Sequence, residues 1–177
     1  MAAVFAFVCK CCGQVHEGSP SFGYESPWHY SCLSEEEKRT IAKLDSDRCT
    51  ITYTDQTDYF IRTVLEIAID GVEEPFTWGV WASLSAKTFN RYLETYNDPV
   101  VGEQYFGTLC NRLPFYPDTI GLHGDVIVQG DRNRPTLRLH RGEASEHPLV
   151  TDYHDGISVA RAQEIAEIAT HRSQETA

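Results

Sequence analysis

Tyr59-Phe60-Ile61-Arg62-Thr63-Val64-Leu65-Glu66-Ile67-Ala68-Ile69 alternates with a period of two. Tyr59, Ile61, Thr63, Leu65, Ile67 and Ile69 fall on one side, and Phe60, Arg62, Val64, Glu66 and Ala68 on the other. Successive side chains of a β-strand point to opposite faces, so the segment reads as a strand with one core face and one mixed face. Cys49, Ile51 and Tyr53 repeat the alternation ahead of a polar turn at residues 55–58, which makes the two runs a hairpin. Asp70-Gly71 ends it, residues 77–83 read as a third strand, and further strands fit 105–110, 125–129 and 136–140.

Helical signals lie around these strands. Ser34 and Glu37 form a capping box that opens a helix to about Leu44. Ser85 caps a helix whose Phe89, Tyr92, Leu93 and Tyr96 share a face, ended by Asn97 and Pro99. Ser158 caps a last helix with Val159, Ala162, Ile165, Ala166, Ile168 and Ala169 as its apolar stripe. Residues 17–27 read as a surface connection, and 113–118 as a segment stiffened by two prolines. Strands grouped in the middle with flanking helices predict an α+β fold around a central, mostly antiparallel sheet. Residues 1–172 are expected to form one domain, with 1–33 as an N-terminal zinc-knuckle-like segment packed on it, and 173–177 as a disordered tail.

A chain of 177 residues with 41% hydrophobic content is long enough to bury one ordinary core. A net charge of −11 and a pI near 5.0 argue against binding to phosphate backbones or anionic lipid, which need clustered Lys and Arg. No apolar run approaches the roughly 18–20 residues that cross a bilayer, and residues 1–8 read as a strand, not a leader. The expected setting is therefore the cytoplasm, where cysteines stay reduced and act as ligands or as core.

Cys9-Lys10-Cys11-Cys12-Gly13-Gln14-Val15-His16 carries the most specific chemistry in the chain. Two thiolates two residues apart reach one tetrahedral ion from a tight turn, and the following glycine supplies the left-handed backbone. Zinc is the expected cofactor, on Cys9 and Cys12, with Cys11 pointing away. Spacing alone completes the site first with His29 and Cys32, a Cys3His ribbon pattern, and alternatively with His16 and Cys49.

Elsewhere the bland readings prevail. Arg62 and Glu66 share a face roughly 13 Å apart, a solvated surface or the rim of a polar pocket. Trp78 and Trp81 lie on opposite faces of one strand, with core or helix covering both. Asp152, His154 and Asp155 read as the turn before the last helix. No nucleophile elbow, Walker loop, dinucleotide fingerprint or His-Glu-x-x-His occurs.

Several blocks together carry a resemblance: Cys9-x-x-Cys12-Gly13-x-x-His16-Glu17-Gly18, Ser34-Glu35-Glu36-Glu37, Ser46-Asp47-x-Cys49, Phe60-Ile61-Arg62 through Leu65-Glu66-Ile67, Trp78-Gly79-Val80-Trp81, Tyr105-Phe106-Gly107, Leu113-Pro114-x-Tyr116-Pro117-Asp118-Thr119 and His147-Pro148-Leu149. In this order, over nearly the whole chain, they resemble the bacterial domain of unknown function 2199 family. The resemblance implies no activity or substrate. It implies counterparts of Cys9, Cys12, His16 and Cys49, and none of His29 or Cys32, so it favours the former four as the metal ligands. The functional expectation is a zinc-stabilised domain that binds another protein, not nucleic acid or membrane. The alternative is a metal-dependent hydrolase with an open zinc position.

Overall fold

The alternating segment forms the longest strand of the computed structural model, which describes residues 5–10, 12–142 and 147–175. In chain order the elements are β1 (Ala6–Val8), β2 (Val15–Glu17), β3 (Ser21–Gly23), α1 (Trp28–Ser31), α2 (Glu35–Thr40), β4 (Ala42–Leu44), β5 (Arg48–Thr52), β6 (Thr57–Ile67) and β7 (Phe76–Leu84). Then follow α3 (Ala86–Glu94), β8 (Gln104–Leu109), β9 (His123–Ile127), β10 (Thr136–Leu139), α4 (Pro148–Asp155) and α5 (Val159–Glu175). None of the described helices is long and apolar enough to cross a membrane.

β1 and β2 pair as a separate hairpin, and the other eight strands run β3-β7-β8-β9-β10-β6-β5-β4. Because β6 also pairs with β7, strands β6 to β10 form a closed ring. The fold is α+β as expected, but its mostly antiparallel sheet closes into a barrel, with β10 on β6 and β3 on β7 as the parallel pairings. Ring closure brings backbones close together. Gly107 and Gly124 face each other in the β8–β9 register. A Cβ on Gly107 would lie 2.7 Å from the Ser83 carbonyl oxygen, and one on Gly124 would lie 2.6 Å from that of Arg138. Only glycine fits there.

The barrel encloses the face that the alternation marked. Ile61, Thr63, Leu65 and Ile67 of β6 meet Phe76, Trp78, Val80 and Ala82 of β7, all fully buried. The Thr63 hydroxyl donates to the Val80 carbonyl at 3.1 Å, whereas Trp78 Nε1 is buried without a partner among the described residues. Phe89 and Tyr92 of α3, Leu149 and Val150 of α4, and Ala162, Ile165, Ala166 and Ala169 of α5 belong to the same core.

Trp81 points the other way, into a second cluster with Cys49, Ile51, Phe60 and Cys110. Residues 24–42 cover that cluster, supplying Tyr24, Tyr30, Leu33, Ile41 and Ala42. Asn111, 2% exposed, fastens the cover: its Oδ1 accepts from the Trp81 amide at 2.7 Å and its Nδ2 donates to the Ser26 carbonyl at 2.9 Å. Trp81 Nε1 donates to the Tyr24 carbonyl. Both tryptophans are thus packed, as expected, with this N-terminal segment and not α3 over Trp81.

Four local expectations change. The capping box at Ser34 is present, with Glu37 reciprocating, but the helix ends at Thr40 and residues 42–44 form β4 against β5. The expected loop 17–27 contains β3, which pairs in parallel with β7. Asp152, His154 and Asp155 lie in α4, not in a turn: Pro148 occupies its first turn, and His147 Nδ1 accepts from the Leu149 amide. Asp152 there accepts from Tyr116 at 2.8 Å and Arg161 at 2.7 Å, tying the two-proline segment to α4 and α5. The last helix starts after Ser158 and runs to Glu175, so the expected tail begins inside it and residues 176 and 177 lie outside the described residues.

Gly124→Ala should lower stability by about 1–3 kcal/mol through forced displacement of the β10 backbone, read as a drop of about 2–10 °C in the thermal midpoint. An unchanged midpoint would contradict the close approach. Asn111→Ala should cost about 1–3 kcal/mol by leaving the buried Trp81 amide without an acceptor, measured by urea unfolding. A loss under half a kcal/mol would mean that water or a neighbour replaces the bond.

Candidate metal centre

The N-terminal hairpin is short, and its turn carries the cysteines. β1 and β2 pair Ala6 with Glu17, Phe7 with His16 and Val8 with Val15. The Cys9 amide donates to the Gln14 carbonyl at 2.9 Å, and the Gly13 amide donates back to the Cys9 carbonyl at 2.8 Å. Gly13 sits at φ 70°, the left-handed conformation that the spacing required of it. This fold of the turn gathers Cys9, Cys12 and His16, whose ligand atoms all lie within 4.8 Å of one another.

Cys12 Sγ is 3.6 Å from His16 Nε2. A tetrahedral zinc ion with ordinary Zn–S and Zn–N bonds would set such a pair about 3.6 Å apart, so Cys12 and His16 already stand at coordinating separation. Two thiols and an imidazole suit zinc and other thiophilic ions, and not calcium or magnesium, which take oxygen. Cys9 is buried, His16 half-buried and Cys12 exposed.

His16 is oriented from behind. Its ring stacks on Phe7 at 5.2 Å, and Phe7 packs edge-on against Phe5, which is part of the core. α5 holds the other side of the turn: the Lys10 amide donates to Glu167 Oε1 at 3.0 Å, and Gln163 donates both to that oxygen and to the Val8 carbonyl. Glu167 lies off the apolar stripe read for the last helix, and its anchoring role was missed. The signal present was Gln163 four residues before it, on the same face.

The remaining sequence candidates lie elsewhere. Cys49, on β5, packs in the second cluster beside Phe60 and Trp81 and is not in the group of three. Burial, with the Asp45 charge adding, pushes its thiol up to about 12, so it stays protonated, as a core side chain does. His29 packs against Phe60 at 5.2 Å and edge-on to Trp28, and burial, opposed by Asp58, holds its pKa below the usual imidazole value. Cys32 is exposed at the end of α1. His29 and Cys32 are likewise outside the group, and Cys11 lies outside the described residues. Among the described residues, then, three donors converge and Cys49 is separated from them by the packing that buries it.

No curated protein and no solved structure matches this chain. Residues 8–157, a span that takes in the whole Cys9 to His16 turn, the barrel and α4, match the family described as an uncharacterized protein conserved in bacteria, DUF2199, and the chain belongs to that family.

Proposed function

We propose that this protein is a zinc-stabilised protein-binding domain of the bacterial cytoplasm, with zinc on Cys9, Cys12 and His16. The convergence of those three donors in one turn carries the reading. Zinc there would brace the turn end of the β1–β2 hairpin, whose two strands pair at only three positions. Such a hairpin is marginal in water without further support. A structural ion supplies that support because it binds the folded turn and not the unfolded chain.

What the hairpin presents supports protein binding. Val8 and Val15, cross-strand partners beside the turn, are 58% and 61% exposed. They offer a small apolar patch at the metal-braced end, and the net charge of −11 favours a partner with a basic rim.

One observation favours the second reading, a metal-dependent hydrolase. Three protein donors leave a fourth position, which in catalytic zinc sites is filled by water made acidic by the ion. Against it, neither the cleft of about 980 Å³ nor a smaller one of about 230 Å³ is lined by any residue of the hairpin.

Protein purified without chelator should contain about one zinc per chain, and Cys12→Ser should lose it. Zinc at about 100 times its dissociation constant should add about 2.7 kcal/mol, a rise of about 5–10 °C in the thermal midpoint. Cobalt in its place should give the intense visible bands of a tetrahedral thiolate site. A metal-free, equally stable wild type ends this proposal.

The binding claim separates from the metal claim through Val15→Asp, which should keep the zinc and lose, by at least about tenfold, any partner crosslinked to the wild type in bacterial lysate. Undiminished crosslinking of that partner to Val15→Asp would remove the hairpin as the contact. Hydrolysis that disappears with Cys12→Ser would favour the second reading.

A further inference from the structure

We propose that the cleft of about 980 Å³ between the C-terminal end of α3 and the β9–β10 hairpin binds a small organic carboxylate, with Arg132 gripping the anion. The hairpin turn is built at the expense of stability. The Asn133 amide donates to the Gly130 carbonyl at 2.9 Å, and the two residues between, Asp131 and Arg132, have φ of 55° and 61°. Turns with both central residues left-handed favour Asn-Gly or Asp-Gly, and Asp131 satisfies the first position. Arginine at the second does not: its Cβ crowds the backbone where glycine would be unstrained. Strained residues of this kind gather at ligand clamps.

Arg132 lines the cleft, and among the described residues it makes no hydrogen bond or ion pair. Arg134, also on the lining, is paired with Asp47 at 2.7 Å. Arg62 adjoins them, since its amide donates to the Asp47 carbonyl, and its Nε is buried without a partner. Burial and then the nearby Arg134 charge hold the Arg62 guanidinium below its usual range, against the Asp47 and Glu25 charges that raise it. Asp47 and Glu66 are the acids on the lining and Arg132 and Arg134 its guanidiniums, with Arg134 already taken by Asp47. A monocarboxylate would pair the Arg132 guanidinium, whereas the two carboxylates on the same lining oppose a phosphate dianion. Val64, Pro99, Val128 and Pro135 also line the cleft and suit an apolar body behind the anion.

The test follows the arginine Nε–H signals by 15N-edited NMR at constant ionic strength, during titration with sodium benzoate, neutral benzamide and inorganic phosphate. Benzoate should shift the Arg132 signal to saturation in the millimolar range typical of a ligand of so few atoms, benzamide should not, and phosphate should bind more weakly than benzoate. Arg132→Gly gives the turn the favoured Asp-Gly pair, so it should raise the thermal midpoint by about 2 °C while weakening benzoate at least about tenfold. Absence of a benzoate shift, equal binding of benzamide, tighter binding of phosphate, or unchanged affinity in Arg132→Gly would each overturn the proposal. None of these readouts depends on zinc, so failure here and failure at the hairpin are distinguishable.

Discussion

The antiparallel register of β6 on β7, Tyr59 against Leu84 through Ile67 against Phe76, occupies one whole edge of β6 with a single neighbour. Its other edge is divided: β5 takes residues 57–61, and β10 meets it at Val64. That division lets one strand belong to two structures. Toward its C-terminal end β6 closes the barrel, and toward its N-terminal end it carries the β5–β4 extension, with Phe60 packed against Trp81 and Cys49 on the outside. β7 is divided in the same way, between β8 at Ala82 and Ser83 and β3 at residues 77–79. The twist that a closed ring imposes is absorbed where side chains are absent, at the facing Gly107 and Gly124.

Because Trp81 and Phe60 lie outside the barrel, the N-terminal segment has a hydrophobic reason to wrap back over it. Each large side chain so buried is worth about 1.5–3 kcal/mol, and the donors are taken up locally: the Trp81 amide by Asn111, its indole N–H by the Tyr24 carbonyl and the Trp28 amide by the Cys110 carbonyl. The same covering decides the chemistry of Cys49. A thiol enclosed by Ile51, Phe60, Trp81 and Cys110 is held protonated by its surroundings, and a metal ligand must be a thiolate with room for the ion.

Elements whose signal is local were legible in the sequence. The period of two in β6, the caps at Ser34, Ser85 and Ser158, and the aromatic face of α3 all follow from neighbours within a few residues, and the structure has each of them. Elements that depend on distant partners were not. β3 is three residues long and becomes a strand only because β7, more than fifty residues on, offers it a free edge. α4 was read as a turn because its acids and histidine look like turn residues, while Leu149 and Val150, which hold it to the core, gave too short a stripe to register. In the metal centre, Cys9, Cys12 and His16 lie within eight residues and were legible for that reason. Cys49 was an alternative from spacing that the resemblance favoured, and only three-dimensional packing shows it inside another cluster. The cleft is built from α3, β6 and the β9–β10 turn, and no single stretch of sequence announces it.

The two candidate sites sit on parts of the fold held by different forces. The hairpin rests on three strand pairs, the Phe5–Phe7–His16 ring contacts and the Glu167–Gln163 anchor on α5. The cleft is framed by the barrel itself and by α3, whose Phe89 and Tyr92 are core residues. Local opening is cheapest where few apolar groups are buried, so the hairpin can loosen at a cost well below that of global unfolding while the cleft cannot. An ion at Cys9, Cys12 and His16 would therefore act on the N-terminal turn and, through Lys10 and Glu167, on α5. It would leave the charges around Arg132 where the barrel puts them.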